Sequence, residues 1–373
     1  MKVVHTEGLK SICGETLRLI EETDYMNRQT PHNCSVIGPT GSDFANVAKR
    51  SIPFCEFDFF DFDYHPANFI KAYQLLKHIR PDVVHTHNSK DAWVFGVAAR
   101  VLGIPIVRGR HITLPFKKSR FANFVYTRLA DAFTVNCEAI RKLLLDANLA
   151  RPDQIFITPP GINFERFNVN KIDRDFLKKE LGLSHDSFMI GTACILRDWK
   201  GVDTLIKAFL KVYKDTGEKR FYLAIAGKGS EEKKLMELAK PCSGRIFFLG
   251  FRDDIERVIG GMDLFILASK RSEATSQTIP QAMALKVPVI GTEAGGIPDI
   301  IKHKKTGWLV SVDDVEGLAK KIIEVYRLEK GEIDFITGNA FKFITGEFTV
   351  EKTVSRYIDA YNMVIGKGNK RRT

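Results

Sequence analysis

Short β-type runs alternate with segments of helical spacing along the whole chain, which restricts it to an α/β build with parallel, doubly wound sheets. The first set of runs covers residues 2–5, 34–38, 53–59, 82–87, 104–110, 132–137 and 154–158. The second covers 188–196, 221–227, 245–250, 263–268, 287–292 and 308–310. The clearest helix lies over 202–213, with Val202, Leu205, Ile206, Phe209, Leu210 and Tyr213 predicted on one face. At 373 residues the chain exceeds one ordinary core. The change-over falls in the connection from Pro159-Pro160-Gly161 to Lys171. The expected fold class is therefore α/β, two Rossmann-like doubly wound domains over 1–165 and 166–348, with their functional edges facing a cleft.

In an open α/β sheet, ligands bind outside the carboxyl ends of the strands. In the second half those ends carry Arg197 and Lys200, then Gly227-Lys228-Gly229, Gly250-Phe251-Arg252, Glu273 and Gly295-Gly296. In the first half they carry Glu7-Gly8, His87-Asn88-Ser89-Lys90 and Arg110-His111. Ordinary turn chemistry accounts for one or two such glycines, and less well for bases and an acid on the same edge. The stretch 269–299 is the richest. Glu273 follows a strand, and Gln281 lies eight residues later on helical spacing. Carboxylate and amide oxygens accept from hydroxyls, which suits a polyhydroxylated ligand. Arg197 and Lys200 precede the helix at 202, whose positive end adds to theirs. Each cation 4 Å from a phosphate oxygen contributes roughly 4 kcal/mol at an effective dielectric near 20. That would stabilise a diphosphate leaving group without a metal. The rival reading is a surface pair beside Asp198.

Composition narrows the function classes. Hydrophobic content of 44% and charged content of 27% are those of a soluble globular protein. No apolar signal-peptide region and no run of about 18 apolar residues is evident, so neither export nor a membrane span is expected. The six cysteines are scattered without a CxxC, which fits a reducing compartment and neither a disulfide nor a zinc framework. The net charge of +11 is concentrated. Arg108, Arg110, Lys117, Lys118, Arg120 and Arg128 lie in one acid-free stretch with Phe116, Phe121, Phe124 and Tyr126, and Lys367, Lys370, Arg371 and Arg372 in another. A basic, aromatic face of this kind is expected to dock on anionic lipid headgroups, with a solvated basic face as the bland alternative. No nucleic-acid motif is present. Asp61-Phe62-Asp63 is a DxD, but its acid–aromatic alternation reads as a sheet edge and loop rather than a metal site. His85 and His87 form an HxH whose side chains are expected on opposite faces of a strand, which argues against a shared metal. The loop from Gly8 to Gly14 lacks a full GxGxxG and is a weak anion signal.

Taken in order, HTEGLKSICGET, PDVVHTHNSKDAW, RGRHI, PPGINFERF, LRDWKGVDTLIKAF, AGKGSEEKKL, FLGFRDDIERVIGGMDLFILAS, SEATSQTIPQAMALKVPVIGTEAGGIPDII and TGWLV make the chain resemble the retaining GT-B glycosyltransferases of family four, of the bacterial lipopolysaccharide and surface-glycan type. The resemblance implies transfer from a nucleotide-diphosphate sugar to a glycan or lipid-linked acceptor, with no cofactor and no metal. It implies a cytoplasmic protein, peripheral on the inner face of the membrane. Arg197 and Lys200 match the basic pair on the donor diphosphate, and Glu273 the first acid of the E-x7-E motif, on the donor sugar. Backbone amides of Ala274, Thr275, Ser276 and Gln277 would meet sugar and phosphate oxygens, and Gln281 stands at the ribose position. The loop from Gly250 to Arg252 would lie near the base, His111 near the reacting sugar, and Gly14 near the donor phosphates and the acceptor, with Gly227 and Asn88 also binding substrate. Two departures stand out: Gln281 replaces the second Glu, and Ala274, Thr275 and Ser276 replace small glycines. The family's last helix crosses back to the first domain, which residues 349–373 would supply with Val350, Val354, Tyr357, Ile358 and Tyr361 on one face. A sugar-nucleotide epimerase or hydrolase on the same plan is the alternative, followed by a two-lobed sugar-binding protein.

Overall fold

The computed structural model describes residues 1–60, 65–116, 120–271 and 273–370. The chain divides into two compact units, Met1–Gly161 with Val350–Thr373, and Ile162–Thr349. Unit 1 holds strands β1 (Lys2–Thr6), β2 (Asn33–Pro39), β3 (Phe54–Phe57), β4 (Val83–Thr86), β5 (Ile106–Arg110), β6 (Ala132–Val135) and β7 (Ile155–Ile157). They form one sheet in the order β3-β2-β1-β4-β5-β6-β7. Unit 2 holds β8 (Phe188–Ala193), β9 (Phe221–Ala226), β10 (Ile246–Gly250), β11 (Leu264–Leu267), β12 (Val289–Thr292) and β13 (Trp308–Val310), in the order β10-β9-β8-β11-β12-β13. Every pairing is parallel.

Each expected β-type run contains a strand, and several of these strands stop before the run does, where candidate site residues leave the ladder. The run at 82–87 pairs only through Thr86, and the run at 188–196 only through Ala193. Strands covered on both faces read as continuous apolar segments, as Val3, Val4, Val83, Val84, Ile106 and Val107 do in the core of unit 1. In unit 2 the helix Val202–Thr216 buries Val202, Leu205, Ile206, Phe209 and Val212. The buried stripe ends on Val212, with Tyr213 half-buried beside it. Each such side chain contributes about 1.5–3 kcal/mol on burial.

The helix Val350–Lys370 packs in unit 1. Its Val354, Tyr357, Tyr361 and Val364 join Val3, Met26, Cys34, Val83, Val107 and Ala132 in one core cluster, with Val350 and Ile358 at its edge. Thr353 Oγ1 donates to the Pro159 carbonyl at 2.8 Å, which fixes the start of that helix to the end of the sheet domain. All six cysteines are free thiols. Among the described residues no helix is long and apolar enough to cross a membrane.

Each sheet reverses its strand order once. In unit 1 the reversal lies between β1 and β4, in unit 2 between β8 and β11. Connections leave such a pair of strands in opposite directions, so a crevice opens at their carboxyl ends, where ligands of doubly wound folds bind.

Candidate active site

The switch point of unit 2 brings two of the expected residues together. Past β8 the chain makes a 3-10 turn, Asp198–Lys200, and enters the helix Val202–Thr216 through Gly201 at φ 64°. A Cβ at Gly201 would overlap the Ala268 carbonyl oxygen just past β11, so only glycine lets this turn lie against that strand end. Lys270 N donates to the Trp199 carbonyl at 2.7 Å and ties the two together. Lys200 Nζ then reaches Glu273 Oε2 at 2.7 Å, and Ser269 Oγ donates to the same oxygen at 2.7 Å. Beyond β12, Gly295 at φ 53° passes so close that a Cβ would overlap the Glu273 carbonyl, which accepts from Gly296 N at 3.0 Å. Glu273 is thus fixed from three strand ends and is 5% exposed. Both side-chain bonds fall on Oε2, and among the described residues none falls on Oε1. Gly201→Ala is expected to cost about 1–3 kcal/mol, the range for a strained left-handed residue. A urea-unfolding midpoint unchanged from wild type would contradict the close approach.

The other unit 2 residues surround this pair with differing degrees of constraint. Arg197 is exposed, its guanidinium 5.1 Å from the Trp199 ring centre, and its side chain makes no hydrogen bond among the described residues. Ala274 and Ser276 are buried, with Ser276 Oγ 3.0 Å from Thr278 Oγ1. Thr275, Gln277 and Gln281 are half-buried, and Gln281 lies on the short helix Thr278–Ala284. Gly227 N donates to the Gly250 carbonyl at 2.7 Å, joining the ends of β9 and β10. Arg252 is held by two carboxylates: Nε and Nη2 donate to Asp254, Nη1 and Nη2 to Glu180. Phe251 beside it is 68% exposed.

Unit 1 presents a histidine array at its switch point. His5 on β1 stands directly opposite His85 on β4. His5 Nδ1 lies 2.8 Å from His87 Nε2, His87 Nδ1 3.2 Å from His111 Nε2, and His111 Nδ1 3.0 Å from Asn136 Oδ1. The buried Arg18 donates Nη1–H to that same Asn136 oxygen at 2.8 Å. A guanidinium only donates, so Asn136 Oδ1 accepts and His111 carries its proton on Nδ1. The remaining tautomers follow: His87 donates Nδ1–H to His111, and His5 donates Nδ1–H to His87. His85 spans Tyr361 Oη and Thr134 Oγ1, each at 2.9 Å.

Burial keeps these rings neutral. It lowers His5 to about 3, and with the charge of Arg18 it lowers His111 to about 4. His85 and His87 are held well below their ordinary value, by burial first. Burial raises the neighbouring carboxyl groups, Glu15 and Asp91 to about 7 and Glu7 well above its usual range. Asp91 accepts from Thr6 Oγ1, His87 N and Asn88 N, and Asn88 Nδ2 donates to Glu7 Oε1. Gly14 opens the helix Gly14–Gln29, with Glu15 in its first turn.

The two sets of shifts oppose one another. Lowered histidines contribute stability that is lost as pH falls below 6.5, because the unfolded chain takes up those protons first. Raised carboxyl groups contribute stability that is present at acid pH and lost as pH rises through about 7. Between pH 6.5 and 4.5 these terms offset. Below about 4.5 the unfolded carboxyl groups also protonate, and only the histidine term remains. Urea midpoints are therefore expected to change little from pH 6.5 to 4.5 and to fall steeply below that.

Several expectations need correction. His85 and His87 do not project to opposite faces: residues two apart on a strand share a face, and their ring centres lie 4.3 Å apart. Ligating atoms of His5, His85 and His87, and separately of Glu15, His87 and His111, lie within 4.8 Å of one another. Arg108 and Arg110 are not part of a basic surface. Both sit on β5 and are buried, Arg108 with its guanidinium 4.2 Å from the Tyr126 ring centre and Arg110 4.1 Å from that of Phe116. Ile112, Leu114 and Phe124 are exposed near them, and Arg128 is exposed. Asp61-Phe62-Asp63, Lys117, Lys118, Arg371 and Arg372 lie outside the described residues, as do the side chains of Arg120, Phe121, Lys367 and Lys370. His5, Glu15, Arg18 and Asn136 were not singled out in the sequence. The available signal for His5 was the repeated VVHT of residues 3–6 and 83–86, which pairs in register.

Residues 22–166 match the family model Glycosyltransferase Family 4, and residues 187–327 match Glycosyl transferases group 1. The chain is 33% identical over 198 residues to N-acetyl-alpha-D-glucosaminyl L-malate synthase of Bacillus anthracis, an alignment covering 52% of this chain and 50% of that protein. It is 26% identical over 321 residues to UDP-Gal:alpha-D-GlcNAc-diphosphoundecaprenol alpha-1,3-galactosyltransferase of Escherichia coli, covering 80% of each. The chain thus spans about half the length of the first relative and most of the second. Among solved structures, a glycosyltransferase from Rickettsia africae ESF-5 superposes with a TM-score of 0.87 at 19% identity, covering 98% of each chain. Anabaena HepE in complex with UDP superposes with a TM-score of 0.84 at 21% identity, covering 97% of this chain and 100% of that one. With the family 4 model matched over most of the first unit and the group 1 model over most of the second, the chain is built from two glycosyltransferase domains on the GT-B fold.

Proposed function

We propose that the protein transfers a sugar, with retention of anomeric configuration, from a nucleotide-diphosphate sugar to a glycan or lipid-linked acceptor. The observation that carries this reading is the Lys200–Glu273 pair at the switch point of unit 2, with Glu273 Oε1 unbonded among the described residues and Arg197 exposed nearby. Lys200 and Arg197 would take the two phosphates, and Glu273 a sugar hydroxyl. As the glycosidic bond breaks, negative charge grows on the leaving phosphate, and fixed cations stabilise it most at that point. The acceptor hydroxyl attacks from the same face and passes its proton to the departing phosphate. Neither a protein nucleophile nor a metal ion is needed for that step. His111 would hydrogen-bond the reacting sugar through Nε2 by exchanging its His87 partner for a sugar hydroxyl, Gln281 would meet the ribose, and the exposed Phe251 offers a face on which a base could stack.

Named relatives support the reaction class. The Escherichia coli relative takes UDP-Gal to a diphosphoundecaprenol-linked sugar, and a Staphylococcus aureus relative is a capsular polysaccharide biosynthesis glycosyltransferase. Lipopolysaccharide or surface-polysaccharide synthesis on the cytoplasmic face of the membrane is the setting we infer. UDP, GDP and ADP sugars compared by thermal shift identify the donor. A bound donor at a hundredfold excess over its Kd stabilises by about 2.7 kcal/mol. Product analysis with and without an acceptor glycolipid then tests the chemistry. Complete donor conversion without acceptor would replace transfer by epimerisation or hydrolysis.

Exposed Ile112, Leu114, Phe124 and Arg128 support peripheral membrane contact. Binding to anionic liposomes is expected to weaken when salt rises from 0.1 to about 1 M, as the screening length shortens from about 10 to 3 Å. Salt-independent or absent binding would remove the membrane from the proposal.

A further inference from the structure

We propose that Glu15, His87 and His111 form a binding site for one borderline transition-metal ion, such as Zn²⁺ or Co²⁺, in which the ion replaces the His87–His111 hydrogen bond. The three residues come from the helix Gly14–Gln29 and from the chain just past β4 and β5, so the fold places them independently. His87 Nδ1 lies 3.2 Å from His111 Nε2, and Glu15 Oε1 3.6 Å from the same His111 nitrogen. Tetrahedral ligands at about 2.0–2.1 Å from zinc stand about 3.3 Å apart, which the two pairs at His111 nearly meet, and the third pair, Glu15 with His87, lies within 4.8 Å and has to close only as far as the ion draws it. Two imidazoles and one carboxylate are the donor types that divalent ions of this group take.

Two further features point the same way. Glu15 Oε1 is buried and has no hydrogen-bond partner, which is costly for a carboxylate oxygen unless something occupies the site. The outer ring nitrogens are already held, as those of metal-bound histidines usually are. Asn136 Oδ1 accepts from His111 Nδ1, and Arg18 fixes that amide, so His111 Nε2 carries the lone pair. His87 is backed by His5 Nδ1. When an ion takes His87 Nδ1, the ring changes tautomer and donates Nε2–H to His5 Nδ1. His5 in turn moves its proton to Nε2, which faces Tyr361 Oη at 3.4 Å, and Tyr361 donates to His85 Nδ1. The imidazoles keep their proton count throughout. The charge of Arg18 does not stand against the ion uncompensated, because Glu22 pairs with it. The fully buried trio His5, His85 and His87 is a poorer site, since both nitrogens of His5 and of His85 already have partners.

The proposal does not rest on the transfer reaction and its test does not use it, although an ion on His111 Nε2 would exclude the sugar contact proposed for that nitrogen. Metal-stripped, tag-free protein is titrated with Co²⁺ and followed by visible absorption, then challenged with Zn²⁺. One ion per chain is expected, displaced by Zn²⁺. His111→Ala and Glu15→Gln should abolish binding, and Asn136→Ala should weaken it about 10–100-fold, the usual effect of losing an outer-shell partner. Should a variant fail to fold, wild-type protein labelled with ¹⁵N-histidine decides the matter, because Zn²⁺ must convert two rings, His87 and His5, from the Nδ1–H to the Nε2–H form while His111 stays Nδ1–H. Absence of binding, binding unchanged in both ligand variants, or binding lost only in His85→Gln would overturn the proposal.

Discussion

Glu273→Gln and Lys200→Met are each expected to lower the transfer rate by about 10²–10³-fold, the range seen when a preorganised electrostatic contact is removed from an active site. The geometry recommends these substitutions over alanine. The amide introduced by Glu273→Gln would still accept from Ser269 Oγ and leave the main-chain bond from Gly296 in place, so the loop between β11 and the helix Thr278–Ala284 keeps its shape. Methionine keeps the stem that Lys200 lays along the turn. The Lys200 side chain is 18% exposed, so water reaches its partner when it is removed, and the fold should persist. The two losses should not add. Both variants act on the same 2.7 Å contact, Glu273→Gln by removing the charge of its acceptor and Lys200→Met by removing its donor, and residues in contact couple by about 0.5–3 kcal/mol in double-mutant cycles. Steady-state kinetics of both singles and the double, with circular dichroism as the control, measure this. A folded variant of either kind with wild-type turnover would remove the pair from the mechanism.

Fold and site were legible to different degrees, for physical reasons. Parallel strands covered on both faces leave apolar runs of a few residues, such as Phe221–Ala226, and these survive as a pattern in one sequence. The pairing of Lys200 with Glu273 was also legible, because each follows such a run, and carboxyl ends of parallel strands converge. What could not be read was which charged groups the core takes in. Arg108 and Arg110 lie in an acid-free stretch that resembles a surface, yet alternate positions on β5 turn both inward onto Tyr126 and Phe116. The histidine array was hidden in the same way. His5 and His111 are 106 positions apart, and only the order of β1, β4 and β5 in the sheet brings them onto one chain of hydrogen bonds.

Arg18→Met is expected to be the most destabilising single change in unit 1, at about 3–5 kcal/mol, the range for breaking a buried ion pair from one side. Arg18 donates to Glu22, to Asn136 Oδ1, to the Thr158 carbonyl and to Tyr357 Oη, the last two at 2.8 and 2.7 Å. One guanidinium therefore joins the helix Gly14–Gln29, the ends of β6 and β7, and the helix Val350–Lys370. Removing it leaves the Glu22 carboxylate, itself buried, with the Tyr357 hydroxyl at 2.9 Å as its remaining side-chain donor. Glu22→Gln in the Arg18→Met background should recover part of the loss, because the uncompensated charge goes with it. The Arg18→Met change also releases the Asn136 amide, whose orientation the guanidinium dictates, so His111 no longer has a fixed tautomer. A purely structural Arg18 would lower the urea midpoint and leave the kinetics of the folded fraction alone. An Arg18 that also sets the His111 tautomer would change the pH profile of kcat/KM as well. A midpoint change below about 1 kcal/mol, the size of an ordinary exposed ion pair, would show that the buried network does not hold the last helix in place.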